Sequence, residues 1–505
     1  MNNRKPLKIL KAKWFQLALL SPILTLLSAY STPAFAVGDA PAAAVNTTRL
    51  TQACRHPDFA QEIQCGSLLQ PLNPAQPEGK KIQLNFVVLP AQDKNKLNDA
   101  VVLLAGGPGQ SVINLAAYAK LALSRNNRRR DIVLLDQRGT GKSAPLSCDE
   151  FTDTFAIVKP AQLETRTRQC LQKLQALDYG ELSYFSTSIA VRDLEALRRH
   201  LNYDSLNLIG VSYGTRVALE YQRQFPNSVR RMVLDGVVPP DLSLASADAK
   251  VALEALFKAC QQEAACAKSY PDLAQKWSNL LKQSPFNYSF AHPRTGQLVE
   301  REISADLMIG LVHKILYNPV TSMTIPYVLS QAARGNYVPL LSISNALAKP
   351  GPEGIYYGMH FSVWCAEAAA IPLKTAPAQD EIASSMAKMY QSVCRNWPRA
   401  EIPADFYQIK PSPVAALLLS GGIDPVTPDS QGQKVADALG KNALHLRLQN
   451  AGHGLLMQGC SRDIVERFIS AKDNQSALAV DRQCLRQIPR PLAWQPTVIA
   501  SGELK

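Results

Sequence analysis

Short apolar runs recur along the chain at Ile82 to Val88, Ala100 to Leu104, Ile132 to Leu135, Leu206 to Val211, Met232 to Leu234, Val414 to Leu419 and Leu444 to Leu448. Their length and near-continuous hydrophobicity predict parallel strands buried on both faces. Helical patterns lie between several of them. In Ala190 to Leu201, for example, Val191, Leu194, Leu197 and Leu201 share one face. Strands alternating with helices predict an α/β fold with a mostly parallel central sheet.

One interval breaks this rhythm. Between Leu234 and Val414 no strand series is evident, only helix-like segments at Ala247 to Ala265, Ala274 to Leu281, Ala305 to Tyr317, Ile325 to Ala333 and Glu381 to Val393. Val-Val-Pro-Pro at 237 to 240 marks the entry. The pattern predicts four segments: a leader at 1–36, the first part of an α/β core at 37–236, a mainly helical cap insertion at 237–410, and the C-terminal part of the core at 411–505.

The N-terminus carries a processing signal. Arg4, Lys5, Lys8, Lys11 and Lys13 precede an apolar stretch from Trp14 to about Leu27, and Ala34-Phe35-Ala36 fits a small-residue cleavage site. Ser21 and Pro22 interrupt the apolar stretch, which favours a cleaved leader over a membrane anchor. Cleavage after Ala36 removes five basic and no acidic residues, so the formal net charge falls from +13 to +8. No later run offers 18 uninterrupted apolar residues, so no stable membrane insertion is expected after cleavage. The remaining basic residues are dispersed, without zinc spacing or an RNA-binding signature, which disfavours nucleic acid as a partner.

The ten cysteines fall as sequence neighbours: Cys54 and Cys65, Cys148 and Cys170, Cys260 and Cys266, Cys365 and Cys394, Cys460 and Cys484. In an exported chain they are expected to form disulfides, with local pairing in that order as the hypothesis. Periplasmic or extracellular residence is the matching expectation.

Residues 206 to 221 combine an apolar run, a Gly-Val-Ser-Tyr-Gly turn and a helix-forming stretch. A serine on such a strand-to-helix turn projects its hydroxyl above the sheet, and Gly210 and Gly214 leave room for the neighbouring strand and helix. Ser212 is therefore the candidate nucleophile. With this elbow the acid and the histidine follow in chain order. His453 lies in Asn450-Ala451-Gly452-His453-Gly454, a glycine-flanked loop after the last apolar run, and is the candidate base. His445 falls within that run and is expected to pack in the strand. Asp424, directly after Val414 to Leu419, is the favoured orienting acid, with Asp235 the rival position. The oxyanion donors are expected to be the backbone N–H of Tyr213 and that of Gly107, with Gly106 nearly equivalent. No metal or organic cofactor is called for.

Three segments, Gly106-Gly107-Pro108-Gly109, Asp136-Gln137-Arg138-Gly139-Thr140-Gly141-Lys142-Ser143 and Gly210-Val211-Ser212-Tyr213-Gly214-Thr215, together resemble the α/β-hydrolase family of prolyl and tripeptidyl aminopeptidases. The stretch with Asp424 and His453 is similar to the C-terminal region of the tripeptidyl type, and the likeness runs from about residue 80 to about 490. The resemblance implies that Gly106 to Gly109 shape the oxyanion loop and that Asp136 and Arg138 brace the site from below. Prolyl aminopeptidases usually carry His before Gly-Gly-Pro-Gly, whereas this chain has Ala105, which leans toward the broader secreted branch. The family binds the substrate's α-ammonium through acidic residues in or near the cap, and Glu367 in Trp364-Cys365-Ala366-Glu367 is the candidate here. The expected activity is an exported serine aminopeptidase releasing single residues or tripeptides from peptides with a free N-terminus. A carboxylesterase or lipase of the same fold, or a non-catalytic binding protein on this scaffold, are the alternatives.

Overall fold

A computed structural model describes residues 50–495 of the chain, except 58, 60, 152–159, 243–248, 292–294, 347–353 and 369–380. The leader expected at 1–36 lies outside the described residues. The strands are β1 (Gln52–Cys54), β2 (Ile63–Pro71), β3 (Lys81–Leu89), β4 (Asp99–Leu104), β5 (Ile132–Leu135), β6 (Ser205–Val211), β7 (Val229–Asp235), β8 (Phe286–Ala291), β9 (Leu298–Ile303), β10 (Ala416–Gly421) and β11 (Ala443–Leu448). Nine of them form one sheet in the order β1-β2-β3-β5-β4-β6-β7-β10-β11, and β8 and β9 form a separate hairpin.

From β5 to β11 every pairing in the sheet is parallel. β3 departs from the expected parallel direction. It runs antiparallel to β5 and also to β2, from which the short connection from Leu72 to Lys80 returns the chain as a hairpin.

The apolar runs are continuous because both sheet faces are covered. Leu84, Phe86, Val102, Leu208 and Leu418 point to one side, into a core shared with helices Thr187–His200, Tyr213–Gln224 and Asp429–Leu439. Val87, Val101, Leu103, Ile209 and Leu417 point to the other, where Ile464, Val465 and Phe468 of helix Ser461–Ser470 pack. Alternate residues of one strand therefore enter opposite cores, as the period of two demands.

The interval between β7 and β10 divides between two cores. Residues from Ala249 to Leu341 build their own apolar cluster, around Leu253, Trp277, Met308, Val312, Ile325 and Val328. Met359, Phe361 and Val363 of helix Tyr357–Glu367, with Val393 and Trp397, join the sheet core instead. Five disulfides link Cys54–Cys65, Cys148–Cys170, Cys260–Cys266, Cys365–Cys394 and Cys460–Cys484. Among the described residues no helix is long and apolar enough to cross a membrane.

Candidate active site

The parallel strands deliver their carboxyl ends to one rim, the place where open α/β sheets bind ligands. Leu104 of β4 stands beside Gly210 of β6, Val211 of β6 beside Asp235 of β7, and Asp235 beside Leu419 of β10. The candidate residues follow directly. Gly106 and Gly107 come after β4, Ser212 after β6, Asp424 after β10 and His453 after β11.

Ser212 occupies the turn between β6 and helix Tyr213–Gln224 with φ 56° and ψ −124°, a backbone conformation that non-glycine residues rarely adopt. Its amide donates to the Asp235 carbonyl at 2.8 Å, which ties the turn to the next strand. A Cβ on Gly210 would stand 2.3 Å from the Gly214 carbonyl oxygen, and one on Gly214 would stand 2.1 Å from that of Leu104. Only glycine lets strand, turn and helix meet this closely.

The Nδ1 of His453 lies 2.8 Å from Asp424 Oδ2. Asp424 is buried and accepts further hydrogen bonds from the amides of Val426 and Thr427 at 2.8 and 2.9 Å and from Thr427 Oγ1 at 2.7 Å. Burial raises the carboxyl's pKa, but the imidazole and these donors outweigh it and hold the group below the usual carboxylate range. Burial likewise opposes charge on His453, yet the Asp424 carboxylate wins and its pKa rises above the ordinary histidine value. The pair is thus set up for an imidazole that is readily protonated beside a carboxylate that stays ionised.

His453 and Ser212 each contact the end of β7. The His453 ring rests on Gly236, where an added Cβ would stand 3.0 Å from Cε1, while Ser212 binds the adjoining Asp235 carbonyl. The Asp235 carboxylate points to the loop beyond His453. It accepts from the Leu455 amide at 2.7 Å with each oxygen and from Leu456 at 2.9 Å. Burial pushes its pKa up to about 6, against those amide donors and the nearby imidazole.

The loop after β4 presses on the serine. A Cβ on buried Gly106 would approach the Ser212 Cβ to 3.1 Å, whereas Gly107, at φ 109°, is partly exposed. Tyr213 is the first residue of its helix, so its N–H has no intrahelical acceptor. Its phenol meets Thr187 Oγ1 at 2.7 Å and accepts from Gln137 Nε2 at 3.0 Å, fixing the residue that offers this N–H. Below the loop, Asp136 accepts from Ser111 Oγ at 2.6 Å, and Arg138 donates to both oxygens of Asp193 at 2.7 Å.

Glu367 is placed differently from an open ammonium-binding carboxylate. It has no exposed surface; it accepts from the Thr187 amide at 2.9 Å and pairs with Arg216 at 3.3 Å. The Arg216 guanidinium also donates to the carbonyls of Pro239 and Leu242 and lies over the Trp364 ring. The expectation for Glu367 was a carboxylate that receives the substrate's α-ammonium. Burial from Gly358 through Glu367 closes this carboxylate off from solvent, with Thr187 and Arg216 as its partners. His445 sits in β11, between Gln433 Oε1 at 3.0 Å and Ser420 Oγ at 2.9 Å.

The structure adds neighbours not singled out in the sequence. Thr427 stands three residues beyond Asp424, and its hydroxyl is 3.1 Å from His453 Nδ1. Tyr317, at the end of helix Ala305–Leu316, accepts the His453 amide with its carbonyl at 2.9 Å and packs its ring edge-on at 5.4 Å. His313 of that helix packs against Tyr317 in turn, at 5.3 Å. Neither the Thr427 nor the Tyr317 contact with His453 had a local signal, because each joins segments distant in sequence that only the fold brings together.

Sheet order, elbow and paired imidazole and carboxylate define an α/β-hydrolase architecture. The chain belongs to the alpha/beta hydrolase fold family, whose model matches residues 99–459. It is similar to a tripeptidyl aminopeptidase of Streptomyces coelicolor, 33% identical over 220 residues, 40% of each chain. It is also similar to the serine protease Hip1 of Mycobacterium tuberculosis, 32% identical over 190 residues, 35% of this chain and 36% of that one. A proline iminopeptidase of Aeromonas sobria is 34% identical over 154 residues, 29% of this chain and 31% of that one. The chain thus spans about two fifths of the length of the first of these relatives.

Proposed function

We propose that this chain is an exported serine peptidase that removes short N-terminal units from peptides through an acyl-enzyme. Ser212 attacks the scissile carbonyl and His453 takes its proton, with Asp424 holding the imidazole in the productive tautomer. The backbone N–H groups of Tyr213 and Gly107 receive the oxyanion. The protonated His453 then hands its proton to the leaving amine and activates the water that releases the acyl group. The segment 237–410 restricts access to short or unstructured peptides.

The observation that carries this reading is the His453–Asp424 pair at 2.8 Å, on the same sheet rim as the strained Ser212 turn. The named activities of the similar proteins support peptides as the substrate class, and five disulfides suit an oxidising compartment.

The test is in two parts. A fluorophosphonate should label the wild-type chain at Ser212 and leave Ser212→Ala unlabelled. Free aminoacyl and tripeptidyl anilides should be cleaved faster than their N-blocked counterparts, with product masses giving the length released. Equal cleavage of blocked substrates and short acyl esters would replace the aminopeptidase with an esterase-type or endopeptidase-type site.

A further inference from the structure

The loop carrying the proposed Gly107 donor is gripped from outside by one helix. Tyr356, just before helix Tyr357–Glu367, donates its amide to the Gly109 carbonyl at 2.8 Å, and Ile355 bridges to Gln110. One turn on, His360 Nδ1 lies 2.9 Å from the Pro108 carbonyl oxygen, and its Nε2 lies 2.7 Å from the Tyr390 hydroxyl. These contacts fix the imidazole's tautomer. A carbonyl can only accept, so Nδ1 carries the proton, and Nε2 is left with the lone pair that takes the Tyr390 O–H.

The ring is buried, at 8% exposure, among Tyr357, Phe361 and Trp364. Burial draws its pKa down to about 4, so the ring stays neutral and the tautomer persists at ordinary pH. Tyr390 comes from helix Glu381–Cys394, and the Cys365–Cys394 disulfide ties that helix to the one carrying His360.

The consequence concerns the orientation of peptide planes. In a trans peptide the C=O and N–H point opposite ways. The Pro108 carbonyl shares its plane with the Gly109 N–H and the Gly109 carbonyl with the Gln110 N–H, so His360 and Tyr356 fix those two groups. The Gln110 N–H donates to the Gly106 carbonyl at 3.4 Å, and that carbonyl shares its plane with the Gly107 N–H, so the hold passes to the proposed donor through this bond. On the inner side Gly106 is pressed against Ser212. The loop is clamped between the candidate nucleophile and this helix.

We infer that His360, set by Tyr390, is a positioning residue that aims the backbone donors of the Gly106–Gly109 loop at the developing oxyanion. The inference rests on the serine-hydrolase function proposed above. A group of this kind acts on the transition state more than on ground-state binding, and a misplacement of about 1 Å is enough to cost up to roughly 100-fold in rate.

The experiment follows fluorophosphonate labelling of the full chain, reading both the rate constant and the final number of adducts per chain, beside kcat and KM on a short acyl p-nitrophenyl ester. His360→Phe should slow labelling and kcat together by about 10- to 100-fold, with KM nearly unchanged and one adduct per chain at the end. His360→Asn keeps a donor at the Nδ1 position and should recover most of the loss. Tyr390→Phe, which removes the hydroxyl that anchors Nε2, should fall between the wild type and His360→Phe. An unchanged rate constant per labelled site overturns the inference, and so does a reduced adduct count at an unchanged rate, which marks a merely structural role. Failure of the wild-type chain to form a Ser212 adduct would instead sink the serine-hydrolase function itself, and this inference with it.

Discussion

Asp235, the last residue of β7, accepts the Leu455 amide with both carboxylate oxygens at 2.7 Å, two residues beyond His453. The carboxylate thus holds the loop bearing the candidate base, while the main-chain oxygen of the same residue holds the Ser212 turn. One residue links the two halves of the site without touching either reacting group.

This arrangement separates the roles of the two acids. Asp424→Asn should lower kcat by roughly 10⁴-fold, the loss seen when an orienting carboxylate is removed and the imidazole takes the wrong tautomer. Asp235→Asn puts an NH₂ group against the Leu455 and Leu456 amides and should shift the loop, costing about 10- to 100-fold in kcat/KM and lowering Tm. Steady-state kinetics on the two variants checks this. A greater loss in Asp235→Asn than in Asp424→Asn would reverse the assignment.

Much of this site was legible because its parts have local signatures. Ser212 sits in a motif whose strand and helix are both visible, and Asp424 and His453 follow apolar runs at the start of loops. The parallel strands are visible because burial on both faces leaves uninterrupted Val, Leu and Ile. β2 was not, since Gly66 lies over the Phe86 ring and Pro71 closes a half-buried, mixed run. Helix Tyr357–Glu367 was hidden for a different reason. Gly358 to Glu367 are all buried, so the helix has no polar face and no amphipathic period. His360, and the true surroundings of Glu367, were hidden with it.

The acid limb of the pH profile should report His453. The base works only as a neutral imidazole, and its pKa is raised, because the Asp424 carboxylate outweighs the burial that would lower it. Activity should therefore fall as pH drops through a value above the ordinary histidine pKa of about 6.5. Stability runs the other way. The stabilisation from charging His453 is fully present below the unfolded pKa and is lost as pH rises through the folded one. That from Asp424, whose folded pKa is depressed, is present above the usual carboxylate pKa of about 3.9 and is lost as pH falls through the folded one. Asp235, at about 6, titrates nearby. Profiles of kcat/KM for the wild type and Asp235→Asn check the assignment: a limb that disappears in the variant belongs to Asp235 and not to the base.

Glu367→Gln tests the buried pair. The variant retains an acceptor for the Thr187 amide but leaves the Arg216 charge without its counter-ion in the interior. Breaking such a pair by removing one partner costs about 3 kcal/mol. The carbonyls of Pro239 and Leu242 still serve Arg216 and should keep the loss near that figure. Denaturant unfolding should show the drop. KM for a free-amine substrate, measured on folded protein, should stay unchanged, and a large rise would mean that the carboxylate reaches the substrate ammonium after all.

The Cys460–Cys484 bridge closes a sequence separation of 24 residues beyond the candidate base. A loop of this size implies about 3 kcal/mol of stabilisation, mainly through the unfolded chain. Reduction would alter turnover only if the bridge were what holds His453 in place, and other contacts do that. The His453 amide donates to the Tyr317 carbonyl at 2.9 Å, the Leu455 and Leu456 amides bind Asp235, and Asn450 Nδ2 donates to the Ile488 carbonyl at 2.9 Å. The first two anchors do not pass through the segment that the bridge secures. The double variant Cys460→Ala/Cys484→Ala should therefore unfold at lower denaturant concentration by about 3 kcal/mol, while kcat per labelled Ser212 stays within about 2-fold of the wild type. Turnover that collapsed at full labelling would place the bridge among the groups that aim the imidazole and would couple activity to the redox state of the compartment.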